Sequence, residues 1–466
     1  MIDDAFLEKP LIEWFKIYGL YGYKDISINF LGQATVVVAE NGTGKTTLLN
    51  ALNAFLSRRF HRLNSINFKR IECKFSDDPA PVGLDRDSIG ANETNADLLH
   101  SAAQKAGVGA DDILDYVLGQ YRPDLYQKIK YNAGVAHDLY INTPGDEARD
   151  ILDSLYKTYT TSLSAVAKDV GLYVQDKLKK SEVIYLPTYR RVEKPLLRPS
   201  RRESPVGFLA SGSKKGANNY QGISFGLGDI EARLVELSEE IERQSNIGYR
   251  YSSARILQDM SKGQGVQLQG EGDHLPDIET LTLFLGRVGP TDSNLQEIIT
   301  NIKGLYETGA IRGGEFAHLR YFLYRINQVA EQTKFSEQRI EKFVEVCNDY
   351  LQMSSDEKKL SFDPATLKVV VKNEWANATV PLDELSSGEK QIVSLMAKLY
   401  LYPGNKILLI DEPELSLSID WQKRVLMDVM KAGEVTQLLA ITHSPFIFDN
   451  DLDGYTTALN IHRAGS

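Results

Sequence analysis

The feature that most constrains this chain is a short apolar run that feeds directly into a glycine-spaced turn. Ala34-Thr35-Val36-Val37-Val38 leads into Ala39-Glu40-Asn41-Gly42-Thr43-Gly44-Lys45-Thr46, and a helix-forming stretch follows from Thr46 to Leu56. A continuous apolar run of that length reads as a strand covered on both faces, which a sheet flanked by helices provides. The turn has phosphate-loop spacing, with alanine at its first glycine. Small residues let successive backbone N–H groups curl around phosphate oxygens, and the helix start adds its positive dipole end. In this reading the Lys45 ammonium reaches the β- and γ-phosphates of ATP and the Thr46 hydroxyl holds Mg²⁺. Asn41, Gly42, Thr43, Gly44 and Thr47 complete the nucleotide-binding set. Should position 39 need positive φ, alanine there costs about 1 kcal/mol.

The same grammar returns in the last third. Lys406 to Ile410 is a second buried strand, between a helix over Ser387 to Leu401 and another over Asp420 to Lys431. Gln437 to Ile441 is a third, and Tyr455 to His462 is placed to close the sheet. Ile12 to Tyr18, Ile26 to Phe30 and Leu367 to Lys372 also read as strands. Strands alternating with helices at this spacing predict an α/β fold with a largely parallel sheet.

Asp411 and Glu412 end the Lys406 strand, where side chains emerge beside a phosphate bound at the sheet's carboxyl edge. Asp411 is expected to hold Mg²⁺, and Glu412 to polarise the attacking water as general base. Ser386-Ser387-Gly388-Glu389 has the Ser-x-x-Glu form of a capping box. A helix start with free N–H groups and serine hydroxyls is an anion site. The phosphate loop already supplies one such helix, so Ser386, Ser387, Gly388 and Glu389 are available to the nucleotide of a second copy. His443, in Thr442-His443-Ser444-Pro445, is expected to hydrogen-bond the γ-phosphate. Ser416, Ser418 and Asp420 lie on the turn after Glu412, where a dimer partner could read the state of hydrolysis. Asp449 to Gly454 resembles the opening of a calcium loop, but Asn460 stands where a bidentate glutamate is needed. An acidic turn is the better reading.

Charge and composition narrow the partners. A net charge of −10 over 466 residues argues against a surface that coats nucleic acid throughout. Two basic clusters stand out locally: Arg190, Arg191, Lys194, Arg198, Arg201 and Arg202; and Arg58, Arg59, His61, Arg62, Lys69 and Arg70. Each is either a solvated face or one paired with the chain's excess acids, or else a nucleotide-sensing or polynucleotide-contacting surface. No apolar run reaches the roughly 18 residues needed to cross a membrane, and Met1-Ile2-Asp3-Asp4 does not open like an export signal. Cys73 and Cys347 lack metal-ligand spacing and are expected as buried thiols of a cytoplasmic protein.

About 340 residues separate Lys45 from Ser386, far more than a compact nucleotide-binding domain uses. The expected organisation is an N-terminal lobe over 1–75, a mostly helical insertion over 76–355, and a C-terminal lobe over 356–466. The insertion returns to the core near 181–195 and carries a Gly/Ser-rich loop over 204–228. Helices are predicted over Asn95 to Lys105, Ala110 to Leu118, Glu147 to Val170, Ile230 to Gln244, and Leu295 to Met353 with breaks. Ile230, Leu234, Leu237 and Ile241 form a two-heptad seam, which suits a short hairpin and not a long rod.

Taken in order, the Ala39-to-Thr46 loop, the segment Leu385 to Gln391, Ile410-Asp411-Glu412-Pro413-Glu414 and Thr442-His443-Ser444-Pro445 resemble the ABC-type branch that includes the RecF, Rad50 and SMC ATPases. Leu186-Pro187-Thr188-Tyr189-Arg190-Arg191 is similar to a segment of the prokaryotic antiviral ATPases, the AriA group of PARIS and the PtuA group of Septu and retron systems. That resemblance implies an ABC-type nucleotide-binding domain with a helical insertion, binding ATP and Mg²⁺. It also implies at least a homodimer, in some relatives a hexamer, that controls a separate effector nuclease of TOPRIM-like or HNH-like type. Only 23 residues follow His443, too few for the nuclease domain that OLD-type relatives carry there. Two alternatives stay open: a RecF/Rad50-like DNA-repair ATPase, in which nucleic acid is a partner, and a scaffold that uses ATP only as glue.

Overall fold

The computed structural model describes residues 9–40, 42–89, 96–119, 121, 123, 135–143, 146–162, 164–179, 181–187, 227–261, 275–288, 293–354 and 358–463. In chain order they form β1 (Ile12–Leu20), β2 (Lys24–Asn29), β3 (Ala34–Val38), α1 (Lys45–Leu56), β4 (Arg70–Phe75) and β5 (Val82–Asp85). Helices α2 (Ala96–Ala106), α3 (Ala110–Gly119), α4 (Val135–Ile141), α5 (Glu147–Ser162) and α6 (Ala165–Lys177) come next, then β6 (Glu182–Leu186). The helices α7 (Leu227–Ser261), α8 (Ile278–Val288), α9 (Ser293–Glu307) and α10 (Ala317–Leu351) precede β7 (Lys358–Asp363), β8 (Lys368–Asn373) and β9 (Ala378–Val380). Last come α11 (Ser387–Tyr400), β10 (Lys406–Asp411), α12 (Ile419–Lys431), β11 (Val435–Thr442), β12 (Thr456–Thr457) and β13 (Asn460–Arg463). Two compact units result, residues 1–224 with 404–466, and residues 225–403.

The first unit is an α/β body with two sheets. One has the order β12-β3-β11-β10-β6 and every pairing in it is parallel. All six residues of β10 are buried, as are all but Thr436 in β11, which fits strands covered on both faces. The other sheet, β13-β2-β1-β4-β5, is antiparallel throughout. Its β4 alternates so that Ile71, Cys73 and Phe75 point inward. Between them α1 buries Leu48, Leu49, Leu52 and Phe55, each worth about 1.5–3 kcal/mol. The Phe55 ring meets Phe15 of β1 edge-on at 5.9 Å. Gln437 of β11 joins the sheets: its buried carboxamide accepts from Ile12 N at 2.9 Å and donates to Ile12 O at 3.0 Å. Helices α2 to α5 form a satellite core around Ile113, Val117, Leu152 and Leu155.

Several local expectations change. Tyr455 to His462 is not one strand: β12 extends the parallel sheet beside β3, while β13 joins the antiparallel sheet beside β2. The helix expected over Glu147 to Val170 divides, because the Ser164 hydroxyl caps α6 by accepting from Ala167 N. Residues 82–85, expected within the helical insertion, are a strand of the antiparallel sheet. Residues 204–226 of the expected Gly/Ser-rich loop lie outside the described residues. Cys73 and Cys347 are buried, and burial pushes both thiols up.

In the second unit α7 and α10, each of 35 residues and so about 52 Å long, pack antiparallel. Gly248 faces Val329 while Tyr321 donates to Asp259 at 2.7 Å. This is a far longer pair than the two-heptad seam suggests. Ile230, Leu234, Leu237 and Ile241 are buried as expected, and the seam then continues through Ser245, Gly248 and Ser252. Those small residues keep the helical spacing but carry no apolar signal. A Cβ added at Gly248 would fall 2.3 Å from Val329 Cγ1, so close helix approach explains the glycine. Helices α8 and α9 pack on this pair through Leu281, Phe284, Ile302 and Leu323, and β7-β8-β9 form an antiparallel sheet. No helix among the described residues is long and apolar enough to cross a membrane.

Candidate functional site

Three neighbouring strands of the parallel sheet, β3, β11 and β10, end at one edge, and each delivers a predicted site segment there. From β3 the chain enters the glycine turn, where Gly42 has φ +79° and Gly44 φ +104°, backbone that L side chains avoid. Ala39 is not among the residues of positive φ, so it carries no such strain. It acts through its backbone, accepting from Lys45 Nζ at 3.2 Å. Asn41 lies outside the described residues, as do Thr188 to Arg191 and the basic residues 194–202.

Lys45 and Thr46 open α1 and meet the ends of the other two strands. Lys45 Nζ donates to His443 Nε2, which requires that ring nitrogen to carry no proton. Thr46 Oγ1 donates to Asp411 Oδ2 at 2.9 Å. Glu412 Oε1 lies 3.9 Å from His443 Nε2. Lys45, Thr46, Asp411, Glu412 and His443 thus gather at one place from sequence positions nearly 400 apart. Adjacent hydroxyl and carboxylate oxygens from Thr46 and Asp411 are the donor chemistry a hard divalent cation takes beside phosphate, so these residues fit Mg²⁺.

Glu412 is strained. Its φ of +52° places a non-glycine residue in the left-handed region, as does that of Ser416 at +62°, at roughly 1–2 kcal/mol each. The turn is held from three sides. Glu412 N donates to Ile441 O at 2.8 Å. Glu414 accepts from Thr442 Oγ1 and from His443 N, both at 2.8 Å. Gln422 of α12 donates to Leu417 O at 2.9 Å and accepts from Ser444 Oγ at 2.6 Å. Burial pushes the Glu414 carboxyl above its usual range, and the Thr442 hydroxyl and Lys45 charge offset only part of that.

Sequence reasoning missed several residues here. Glu414 lay inside a recognised segment without a role, and Gln422 carried no signal. Lys24 is buried and donates from Nζ to Thr43 O at 3.1 Å, placing a second ammonium under the phosphate loop. Beside it Tyr21 and Tyr23 are half exposed, with Lys24 Nζ 5.6 Å from each ring centre. The Tyr21 hydroxyl shares a 3.0 Å hydrogen bond with Thr47 Oγ1. Nothing in the spacing of residues 21–24 ties them to residues 43–47; only the return of β2 against α1 does.

Ser386, Ser387, Gly388 and Glu389 belong to the second unit. The capping box is formed: Ser386 Oγ accepts from Glu389 N at 3.3 Å and Glu389 Oε2 accepts from Ser386 N at 2.7 Å. Glu389 is buried and also takes Lys358 Nζ at 3.2 Å and Ser354 Oγ at 3.3 Å. Ser386 and Ser387 themselves are exposed. The first turn of α11 is therefore braced from within while Ser386 and Ser387 stay exposed.

The basic cluster after α1 has a different fate. Asp115 of α3 takes Arg59 at 3.1 Å, His61 at 3.0 Å and Arg62 at 2.6 Å, while Asp112 takes Arg62 at 3.4 Å. Arg70 pairs with Glu72 and Asp85. No group of His, Cys, Asp and Glu among the described residues has the arrangement of a metal cage.

Comparison with known proteins matches two stretches of the chain to family models. Residues 12–183 match the family described as "AAA domain", and residues 290–449 match "AAA domain, putative AbiEii toxin, Type IV TA system". No curated protein matches the chain. Among solved structures it is similar to the Smc head domain with an extended coiled coil bound to the C-terminal domain of ScpA, from Pyrococcus furiosus. That match has 13% identity and TM-score 0.32, covering 98% of this chain and 96% of that one. An SmcHead bound to the C-winged helix domain of ScpA matches at 12% identity and TM-score 0.32, covering 98% of each chain. At such scores neither likeness carries an argument about function.

Proposed function

We propose that this chain binds and hydrolyses ATP with Mg²⁺, and that ATP joins two copies. The observation that carries this reading is the convergence of Lys45, Thr46, Asp411, Glu412 and His443 on one sheet edge. Lys45 and the N–H groups of the glycine turn neutralise the phosphates, with Lys24 adding charge from beneath. Thr46 and Asp411 hold the cation, which supplies charge neutralisation at the β- and γ-phosphates when bound. Glu412, at the strand end and a quarter exposed, takes a proton from the attacking water. His443 hydrogen-bonds the γ-phosphate by donating from a ring N–H, which at Nε2 requires the other tautomer, taken up as Lys45 turns from the ring to the phosphates. The exposed Ser386 and Ser387 at a braced helix start close on the nucleotide of a second copy, so that the γ-phosphate bridges two chains.

The wider role in this proposal is an ATP-dependent sensor or scaffold of antiviral defence that controls a separate effector nuclease. The family description naming AbiEii toxin, an abortive-infection context, supports that setting. The DNA-repair alternative leaned partly on the cluster after α1, whose Arg59, His61, Arg62 and Arg70 are committed to acids of the same chain. Phosphate release and mass in solution, each with and without ATP, test the proposal. Release abolished in Glu412→Gln while ATP-dependent dimers persist is the expected result. A wild-type chain that neither releases phosphate nor changes mass with ATP overturns it.

A further inference from the structure

Glu414 sits three residues beyond the magnesium-binding aspartate of the proposed site, and its carboxylate is the point where two loops meet. One oxygen accepts from the His443 backbone N–H and the other from the Thr442 hydroxyl. Thr442 Oγ1 in turn accepts from Ser444 N at 2.9 Å, and Ser444 Oγ donates to Gln422. Gln422 returns to the Glu414 turn through Leu417 O. The closed circuit contains the backbone of His443 and the strained turn that begins at Glu412. Both oxygens are used, in directions set by a backbone N–H that can only donate and a hydroxyl already accepting elsewhere. A carboxylate is the side chain that satisfies two such donors at once.

We propose that Glu414 is a positioning residue for hydrolysis. It fixes the backbone that carries the His443 imidazole and the turn that carries the Glu412 carboxylate, and acts through them. This rests on the ATPase reading and adds to it a specific division of labour: Glu412 and His443 act, and Glu414 with Gln422 aims them. Sub-ångström looseness in such groups lowers turnover far more than binding, up to about a hundredfold.

The test measures kcat and ATP affinity for Glu414→Ala, Glu414→Gln, His443→Ala and the Glu414→Ala/His443→Ala pair, alongside histidine NMR of the nucleotide-free chain. Glu414→Ala is expected to lower kcat by about tenfold to a hundredfold with ATP affinity within about threefold of wild type. Glu414→Gln is expected to recover part of the loss, since its carboxamide oxygen still accepts from His443 N. In the His443→Ala background, removal of Glu414 is expected to cost much less than it does alone. The His443 ring resonances, assigned by their loss in His443→Ala, are expected to move in both Glu414 variants without ATP. Full additivity of the two substitutions, or an unmoved His443 resonance in a folded Glu414→Gln protein, overturns the proposal. The NMR arm needs no turnover, so the two failures are distinguishable: a chain that fails to hydrolyse ATP sinks the ATPase reading and with it the role in hydrolysis, whereas an unmoved His443 resonance in an active chain sinks the Glu414 circuit alone. Should Glu414→Ala not fold, Thr442→Val removes one arm of the same circuit, and an unchanged kcat there overturns the proposal equally.

Discussion

Two clusters of charged side chains lie in the same unit and are used in opposite ways. Around Asp115, Arg59, His61 and Arg62 all face one carboxylate, and the charge of the two arginines is spent inside the fold. At the sheet edge, Lys45 donates to a carbonyl and to an imidazole, and the nearest approach of Glu412 to His443 is 3.9 Å. The first arrangement fastens α3 to the segment after α1. The second keeps its cations paired with neutral groups that an incoming polyanion can displace. Counting arginines and lysines along a sequence does not separate these cases; what separates them is whether the answering acids come from the same chain.

The sharpest way to break the contrast is at the sheet edge. Glu412→Gln is expected to lower the rate of phosphate release by about 10²–10⁴-fold while leaving the Tm close to wild type, read by steady-state turnover and calorimetry. A large loss of stability with normal turnover would reverse the roles assigned to the clusters.

Asp115→Asn is the mirror experiment. Leaving Arg59, His61 and Arg62 beside a neutral amide is expected to destabilise the unit by about 3 kcal/mol in urea unfolding, with ATP affinity barely changed. The pH dependence follows from the same group. Burial alone would raise the Asp115 carboxyl, but His61, Arg59 and Arg62 outweigh it and hold it below the ordinary aspartate value. A depressed folded value means that the contribution is present above the ordinary aspartate pKa and lost as pH falls through the folded one. The stability gap between wild type and Asp115→Asn is therefore expected to be constant near neutrality and to close below about pH 4.

The smallest effect is expected at the capping box. Ser386→Ala should cost about 1 kcal/mol of stability, yet reduce ATP-dependent dimer formation, measured by static light scattering at several ATP concentrations. Dimers as abundant as in wild type would remove Ser386 from the proposed interface.

What could be read from the sequence was what is local. The strand, glycine turn and helix from Ala34 to Leu56 are contiguous, and so are the capping box at Ser386 and the acids at the end of β10. Each carries its own signature of period, turn chemistry or cap. The parts that eluded sequence reading are made by distant segments returning to one place. Asp112 and Asp115 answer the Arg59 cluster across some fifty residues, and Lys24 reaches Thr43 only because β2 runs beneath the loop. The long helix pair escaped for another reason: Ser245, Gly248 and Ser252 hold the seam by being small, and apolar periodicity does not register smallness.

The carboxamide of Gln437 has a consequence of its own. By giving and receiving one bond at Ile12, it behaves as a single residue of strand inserted edgewise between layers. Glutamate there could accept but not donate unless protonated, and leucine would strand a peptide group away from water. The two sheets therefore share a rivet whose chemistry admits few replacements, and any slip of the layer bearing the glycine turn against the other would break both of its bonds.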